Sequence, residues 1–251
     1  MTAQETSAER PAHDAASKEG SLLDRVASEL LGLFAAGRPT PGAGSAAALL
    51  GALAGSLAQT VARHTIRAAK KDEACAAFRE RAETLLGEAR HRFERLCAAV
   101  DADSAAFDRF SQHRRQVGKL LAGETEGADA TGESRAGLQA RADESFRLAT
   151  DVPLGIAADC AAVAEIGLEL LERGHRPARG EASAAVLAAV AGGEAAVHVA
   201  RLNLRQAGTS AWTETSRRRA GELRGQLRTL RERIEARIDA DEDEGSPPAR
   251  R

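Results

Sequence analysis

The chain has 251 residues, a formal net charge of −2 and a pI of about 6.3. This balance gives no electrostatic reason to expect a nucleic acid or an anionic membrane as a partner. Aromatic residues make up 3% of the sequence, with one tryptophan and no tyrosine, so aromatic platforms that stack bases are not expected either.

The composition predicts an all-α fold. Alanine, leucine, arginine and glutamate are abundant, and these residues have the strongest intrinsic preference for helix. No run of alternating apolar and polar residues lies between hairpin turns, so strands are not predicted.

Cysteine usage and the first residues predict a cytoplasmic protein. Cys75, Cys97 and Cys160 are widely separated, and none has the spacing of a zinc ligand set or a disulfide framework. Reduced thiols and no metal site are therefore expected. Residues 1–20 are polar and lack the apolar core of a signal peptide.

The hydrophobic pattern predicts one domain over residues 21–238, a compact bundle of about six helices between disordered tails at 1–20 and 239–251. A glycine-rich acidic loop is expected at 123–134. The predicted helices cover residues 22–36, 45–70, 72–121, 135–173, 181–204 and 213–238.

Pro153 interrupts the fourth predicted helix. A proline disfavours helical geometry in the residue before it, so the helix is expected to end near residue 149. Asp151 is well placed to cap a restart that runs to about residue 173. The sequence therefore predicts a break at this point.

The second predicted helix begins with 22 uncharged residues, 41–62, which is long enough to span a membrane. Most of these residues are alanine, glycine, serine or glutamine, which contribute little to membrane insertion. A buried helix of a soluble bundle is therefore predicted, and the similar stretch 181–200 is expected beside it at the centre. A homodimer is the expected assembly. The few large apolar residues follow one helical face: Leu49, Leu50, Leu53, Leu57 and Val61.

A glycine-rich turn leads into this helix. Gly42 and Gly44 let the backbone approach a ligand closely, and Ser45 is a good N-cap residue. The free N–H groups of a first helical turn favour an anion or the electron-rich edge of a heterocycle. The alternative is a glycine turn that only begins a helix.

Four stretches then resemble one family. PTPGAGSAAALLGALAGSLA (39–58) is similar to the P-x-P-G-G-G-S signature and Ala/Gly-rich helix of the formimidoyltetrahydrofolate cyclodeaminase / methenyltetrahydrofolate cyclohydrolase family. Three further motifs of the family have counterparts in the same order: VDADSAAFDRF (100–110), ATDVPLGIAADCAAVAEIGLELLERG (149–174) and AAVHVARLNL (195–204). The resemblance covers about residues 21–235.

The resemblance implies an all-helical dimer that acts on a tetrahydrofolate derivative as substrate, with no further cofactor and no metal. In one reaction of the family, water attacks the carbon that bridges N5 and N10 of methenyltetrahydrofolate. In the other, N10 attacks the formimino carbon on N5 and ammonia leaves. Both reactions need a positioned acid or base. The residues implied to bind substrate are Pro41, Gly42, Ala43, Gly44, Ser45, Lys70, Lys71 and Asn203.

Three residues are candidates for proton transfer. Asp103 is preferred over Asp101, because two residues so spaced do not share a helical face and Phe107 lies one turn from Asp103, where it would raise its pKa. His64 titrates near neutral pH, although a role at the helix C-terminus is the alternative. Glu181 keeps the carboxylate of the family's G-N-x-N-x-x-S-D motif, one methylene longer.

Basic and amide side chains complete the predicted site. Lys70 and Lys71 match the basic step after this helix in the family and would steer the glutamate tail of a folate, or form a solvated pair. Asn203 needs a hydrogen-bond partner on an apolar helix, in a polar network or at a ligand. Arg201 and Arg205 flank it and are placed to reach a carboxylate.

Two departures from the family motifs leave other functions open. The chain has Ala43 as the middle residue of the family's triple glycine, and GHRPARGEAS (174–183) lacks the amides of the G-N-x-N-x-x-S-D motif. Such losses alter specificity, because a site built on hydrogen bonds rejects ligands that cannot make them. The alternatives are the same fold acting on another amidine, imine or cyclisation substrate, and a non-catalytic helical dimer.

Overall fold

The protein is an all-α bundle, as predicted. The computed structural model describes Leu23 and residues 25–122 and 135–245, with side chains up to residue 240. No strand occurs among these residues. The six helices are α1 (Ala27–Ala35), α2 (Ala43–Ala68), α3 (Glu73–Leu121), α4 (Arg135–Arg173), α5 (Arg179–Arg205) and α6 (Ala211–Gly245).

Helices α2 to α6 run up and down alongside one another. Cross-contacts fix the directions: Ser45 and Gly55 of α2 face residues 103 and 93 of α3, so the two helices are antiparallel. Arg81 and Arg95 of α3 pair with acids of α4 in the same reversed order. The short turn Arg176–Ala178 joins α4 to α5. Antiparallel neighbours joined by short connections are typical of a helical bundle.

The two Ala/Gly-rich helices lie at the centre, which confirms the prediction. A Cβ added at Gly192 of α5 would lie 2.8 Å from the backbone oxygen of Ala47 in α2. A Cβ added at Gly51 would lie 2.6 Å from the sulfur of Cys160. Small residues let the helix backbones approach to distances that side chains elsewhere prevent.

Two helical stretches are long and apolar enough to cross a membrane, by length and composition alone. They are Ala43–Ala68 and Arg176–Arg205, and half or more of the most apolar part of each is buried inside the fold. Core helices of bundles pass the same test, so the observation is weak evidence for a membrane span.

The tails and loop predicted from the sequence are only partly within the described residues. Helix α6 continues to Gly245, through the first residues of the C-terminal tail predicted from 239. The predicted tail at 1–20, the loop at 123–134 and residues 246–251 lie outside the described residues. The inner face of α6 is formed by Leu223, Leu227, Leu230 and Ile234, which are buried.

The predicted break at Pro153 is wrong, because α4 is continuous from Arg135 to Arg173. Proline has no N–H, so it cannot donate the helical hydrogen bond to the carbonyl four residues earlier, that of Ala149. The side-chain amide of Asn203 on α5 donates to this carbonyl instead, at 2.9 Å. The predicted partner of Asn203 is therefore a backbone carbonyl that proline leaves free.

This pairing predicts that Asn203 and Pro153 are energetically coupled. Asn203→Ala should lower the free energy of unfolding by about 1–3 kcal/mol, because it leaves a carbonyl between two helices without a donor. In a Pro153→Ala background, the new alanine has an N–H that donates to the carbonyl of Ala149, so the same change should cost far less. Urea denaturation of the two single variants, the double variant and the original chain measures the coupling. Equal costs in both backgrounds would contradict the assignment.

Candidate active site

The start of α2 and the middle of α3 bring a carboxyl group against a glycine. Asp103 is only 8% exposed and accepts a hydrogen bond from the Ser45 hydroxyl at 3.1 Å. A Cβ at Gly44 would overlap Oδ1 of Asp103, so only glycine leaves room for this carboxyl group. Asp103 is buried whereas Asp101 is only half-buried, which is consistent with the preference for Asp103, whose role in proton transfer stays a prediction.

Ser45 is not the N-cap of α2, which corrects the sequence prediction. The helix begins at Ala43, and Gly42 is the N-cap without a side-chain hydrogen bond. Ser45 is the third helical residue and fully buried. Its hydroxyl lies 2.9 Å from that of Ser104, and its backbone N–H also donates to Asp103. The helix N-terminus, expected to hold a ligand anion, therefore holds the protein's own carboxyl group.

Burial raises the pKa of Asp103 above its ordinary value of 3.8. The hydrogen bonds from the hydroxyl and the N–H of Ser45 act in the opposite direction, and burial outweighs them. The direction matches the sequence prediction. The Phe107 ring expected to cause it is 37% exposed, and the shift follows from burial of Asp103 as a whole. A buried aspartate of raised pKa is a stronger base and a better proton carrier near neutral pH.

The loop before α2 is hydrogen-bonded to α3, close to Asp103 in the sequence of that helix. The Thr40 hydroxyl lies 3.0 and 3.2 Å from the two carboxylate oxygens of Asp108. The Thr40–Pro41 peptide bond is cis, and Pro41 and Gly42 are half-buried. Ala43 is exposed at the first position of the helix. The predicted glycine turn thus lies against the segment of α3 that carries Asp103.

The remaining predicted catalytic residues and the two predicted lysines lie at the opposite end of α2. His64 is about 28 Å from Ser45 along the helix axis, given the rise per residue of an α-helix. Its ring stacks near that of His175, with centroids 6.5 Å apart, just before α5. Within one chain, the structure therefore brings Gly44, Ser45 and Asp103 together but places His64 apart from them. Three other predicted residues share the His64 end: Lys70 and Lys71 after α2, and Glu181 in the first turn of α5.

A second polar cluster at that end went unnoticed in the sequence. One donor atom from each of Asp72, Cys75 and His175 lies within 4.8 Å of the others. The backbone N–H of Cys75 donates to Asp72, which is the N-cap of α3, and this bond lowers the pKa of Asp72. Burial raises the pKa of the Cys75 thiol. A hundred residues separate His175 from the other two, so no local spacing signalled the group.

These three donor types suit Zn²⁺, but their surroundings do not favour a cation. Arg173, Arg176 and Arg179 line a cavity of about 480 Å³ together with Asp72, Cys75 and Glu172, so three arginines offset the two carboxylates that would attract a metal ion. The sequence prediction of no metal site stays a prediction, and the hydrogen bonds of Asp72 account for its place at the start of α3.

With the geometry established, comparison with known proteins identifies the family. A model of the family described as formiminotransferase-cyclodeaminase matches residues 26–222. The chain belongs to this family. The matched region contains the start of α2, Asp103 and both ends of α5, and so covers both polar groups described above.

Individual members of the formiminotransferase-cyclodeaminase family are similar over most of the chain. A methenyltetrahydrofolate cyclohydrolase of Methylorubrum extorquens is 29% identical over 201 residues, which cover 80% of this chain and 89% of the relative. The crystal structure of a formiminotetrahydrofolate cyclodeaminase from Thermotoga maritima superposes with a TM-score of 0.71 at 17% identity. It covers 87% of this chain and 98% of its own, so the fold is shared over its whole length.

Proposed function

We propose that this protein is a folate one-carbon enzyme that acts on the carbon bridging N5 and N10 of tetrahydrofolate, with methenyltetrahydrofolate as the first candidate substrate. The observation that carries the proposal is the buried carboxyl group of Asp103 against Gly44 and Ser45. Family membership and the length of the match to a cyclohydrolase support it. They favour a folate over another amidine or imine substrate, and an enzyme over a non-catalytic dimer.

In the proposed hydrolysis, Asp103 first acts as a base. Water attacks the electrophilic bridging carbon while Asp103 takes a proton from it, which forms a tetrahedral carbon between two nitrogens. Ser45 orients the carboxylate through its hydroxyl and its N–H. The bond from this carbon to N5 then breaks as protonated Asp103 returns its proton to N5, while the second proton of the added water leaves the hydroxyl for solvent and the formyl C=O forms, giving 10-formyltetrahydrofolate. The chemistry needs a positioned proton carrier and no further cofactor.

Cyclodeamination of formiminotetrahydrofolate is the second candidate. It passes through a tetrahedral carbon at the same place, and the same carboxyl group would protonate the departing ammonia. The raised pKa of Asp103 suits this donor role as well as it suits a base. The reactions differ in whether water or N10 attacks, so the two substrates, assayed side by side, distinguish them.

The test is a titration followed by an assay. Calorimetry with tetrahydrofolate and 5-formyltetrahydrofolate, which is a stable substitute for the labile substrates, should give micromolar binding that weakens in Ser45→Ala. Hydrolysis is then followed as loss of the methenyl absorbance, against the uncatalysed rate. Ser56→Ala is the matched control, because Ser56 is a serine of α2 whose hydroxyl bonds only the carbonyl of Leu53 in its own helix. Absence of binding at millimolar ligand would reject a folate substrate.

We also propose that two copies pair through the outer face of α2 and α5. This face carries exposed leucines between its polar ends, namely Leu50, Leu53, Leu187 and Leu202. Exposed leucines on two neighbouring helices favour a surface that a partner covers. We propose that the two-fold axis is perpendicular to α2, so that the two copies of this helix are antiparallel. The partner's His64 end then lies at the same end of the dimer as Asp103, which would unite the residues that one chain keeps apart.

Leu53→Glu should dissociate the proposed dimer. Leu53 is 53% exposed near the middle of α2, where a two-fold axis would place a charge beside its own copy. Sedimentation velocity should show one dimeric species for the original chain and a monomer for the variant. Leu121→Glu, at a leucine that is 61% exposed at the far end of α3, should remain dimeric. A monomeric original chain, or a dimeric Leu53→Glu variant, would contradict this interface.

A further inference from the structure

A groove between the C-terminal half of α5 and the N-terminal half of α6 is lined mainly by arginine. Its volume is about 580 Å³. No acidic residue lines it, and Leu204 is its one large apolar side chain. The lining residues are Arg201, Leu204, Arg205, Arg217, Gly221, Arg224, Gly225 and Arg228.

Most of this positive charge has no partner within the described part of the chain. Arg217 donates to the carbonyl of Leu204 at 3.1 Å and so serves the end of α5. Arg228 lies 3.8 Å from the exposed carboxylate of Glu232. Neither gains a buried ion pair from these contacts. Among the described residues, no carboxylate lies within 4.0 Å of the guanidinium groups of Arg201, Arg205 or Arg224. The five arginines are exposed along one groove, where like charges repel one another, and a bound anion reduces that repulsion.

Two glycines of the lining have no packing role within the chain. Gly221 and Gly225 are one helical turn apart on α6, and a Cβ added at either would meet nothing within 4 Å. A glycine inside a helix costs about 1 kcal/mol relative to alanine. At Gly44 and Gly192 that cost has a visible reason in the neighbouring atoms, whereas at these two, as at Gly87, Gly118 and Gly155, it has none. Open space above a bare helix backbone lets a ligand approach closely.

We propose that this groove binds a compact anion that carries two or more phosphate or carboxylate groups. Guanidinium groups bind both kinds of oxyanion through paired hydrogen bonds. The lining has no aromatic ring and little apolar surface, so it does not suit a nucleotide base or a pteridine. The ligand is therefore small and dense in charge. None of the lining residues belongs to the Asp103 group. Arg201 and Arg205, which the sequence placed beside Asn203 in the predicted folate site, line this groove instead, so the proposal goes beyond the chemistry at Asp103.

Calorimetric titration of the full chain at low salt tests the proposal with two probes, tripolyphosphate and citrate. At least one should bind with one ion per chain and micromolar affinity. The probe that binds more tightly shows whether the groove prefers phosphate or carboxylate groups. Arg224→Gln combined with Arg228→Gln should weaken binding at least 10-fold. Gly225→Leu should weaken it equally, although it keeps every charge, because the side chain fills the groove floor.

Two control variants distinguish specific binding in the groove from nonspecific binding to positive charge on the surface. Arg218→Gln removes an arginine of α6 that lies outside the groove and is 70% exposed. Gly87→Leu adds the same bulk to a glycine of α3 that also has open space around it. Both should bind as the original chain does. The proposal is overturned if neither probe binds, if several ions bind per chain, or if the controls lose as much affinity as the groove variants. Methenyl hydrolysis by the groove variants, measured in parallel, shows that the folate site is intact.

Discussion

Asp103→Asn is expected to lower the rate of methenyl hydrolysis by about 10²–10⁴-fold, the usual contribution of a positioned acid or base. Asparagine has nearly the same shape and still accepts the hydrogen bond that Ser45 donates, so the start of α2 should keep its geometry. The variant should therefore bind 5-formyltetrahydrofolate about as well as the original chain. Steady-state kinetics should show the loss in kcat rather than in KM.

The same substitution should change how stability depends on pH. Burial raises the pKa of Asp103 in the folded chain above its ordinary value of 3.8, so the folded state holds this proton more tightly than the unfolded state. The carboxyl group therefore stabilises the fold fully below pH 3.8, and this contribution is lost as pH rises through the raised pKa. Asp103→Asn cannot ionise. Relative to the original chain, it should gain in free energy of unfolding between acidic and neutral pH.

Urea denaturation at several pH values, together with the kinetics, separates this result from simple unfolding. Asp101→Asn is the matched control, because it makes the same chemical change two residues away at a half-buried position. It should retain activity within about twofold, and it should not reproduce the loss in kcat. If Asp101→Asn abolishes hydrolysis while Asp103→Asn does not, the inward carboxyl group is not the proton carrier.

Most of the fold could be predicted because the residue pattern that indicates a helix lies within one continuous stretch of the sequence. The spacing of Leu223, Leu227, Leu230 and Ile234 is that of one helical face, and these residues are buried. The Ala/Gly-rich stretches became central helices because few large side chains were available to fill gaps, so close approach had to supply the packing. Helical geometry indicated that Asp101 and Asp103 do not share a face, and the preference for Asp103 rested on the neighbouring Phe107.

What could not be predicted depends on partners distant in sequence. Pro153 remains inside a helix because Asn203, fifty residues later, donates to the carbonyl that proline leaves free. Serine is a residue type that favours the N-cap position, but the hydroxyl of Ser45 donates a hydrogen bond to Asp103 instead. His64 belongs to the same helix as Ser45, and the uninterrupted length of that helix keeps the two apart. Each of these outcomes is set by how helices pair, which no local pattern records.

Gly44→Ala is expected to remove most of the activity, although the substitution adds only one methyl group. The added Cβ would lie far inside van der Waals contact with Oδ1 and Cγ of Asp103. The carboxyl group must turn away, which breaks the hydrogen bonds that Ser45 donates to it. Overpacking of this kind costs about 1–3 kcal/mol of stability, against which the better helix propensity of alanine returns about 1 kcal/mol. Hydrolysis should fall at least as far as in Asp103→Asn.

A second substitution shows whether the clash is the cause. Asp103→Ala removes the atoms that the new methyl group meets, so Gly44→Ala should cost little stability in that background, although activity stays lost. The coupling between the two changes should exceed about 1 kcal/mol, as expected for residues in direct contact. Gly87→Ala, at a glycine with nothing within 4 Å, should instead stabilise the chain slightly. If the losses in free energy of unfolding at positions 44 and 103 are additive, Gly44 is needed for the backbone conformation of this turn and not to leave room for the carboxyl group of Asp103.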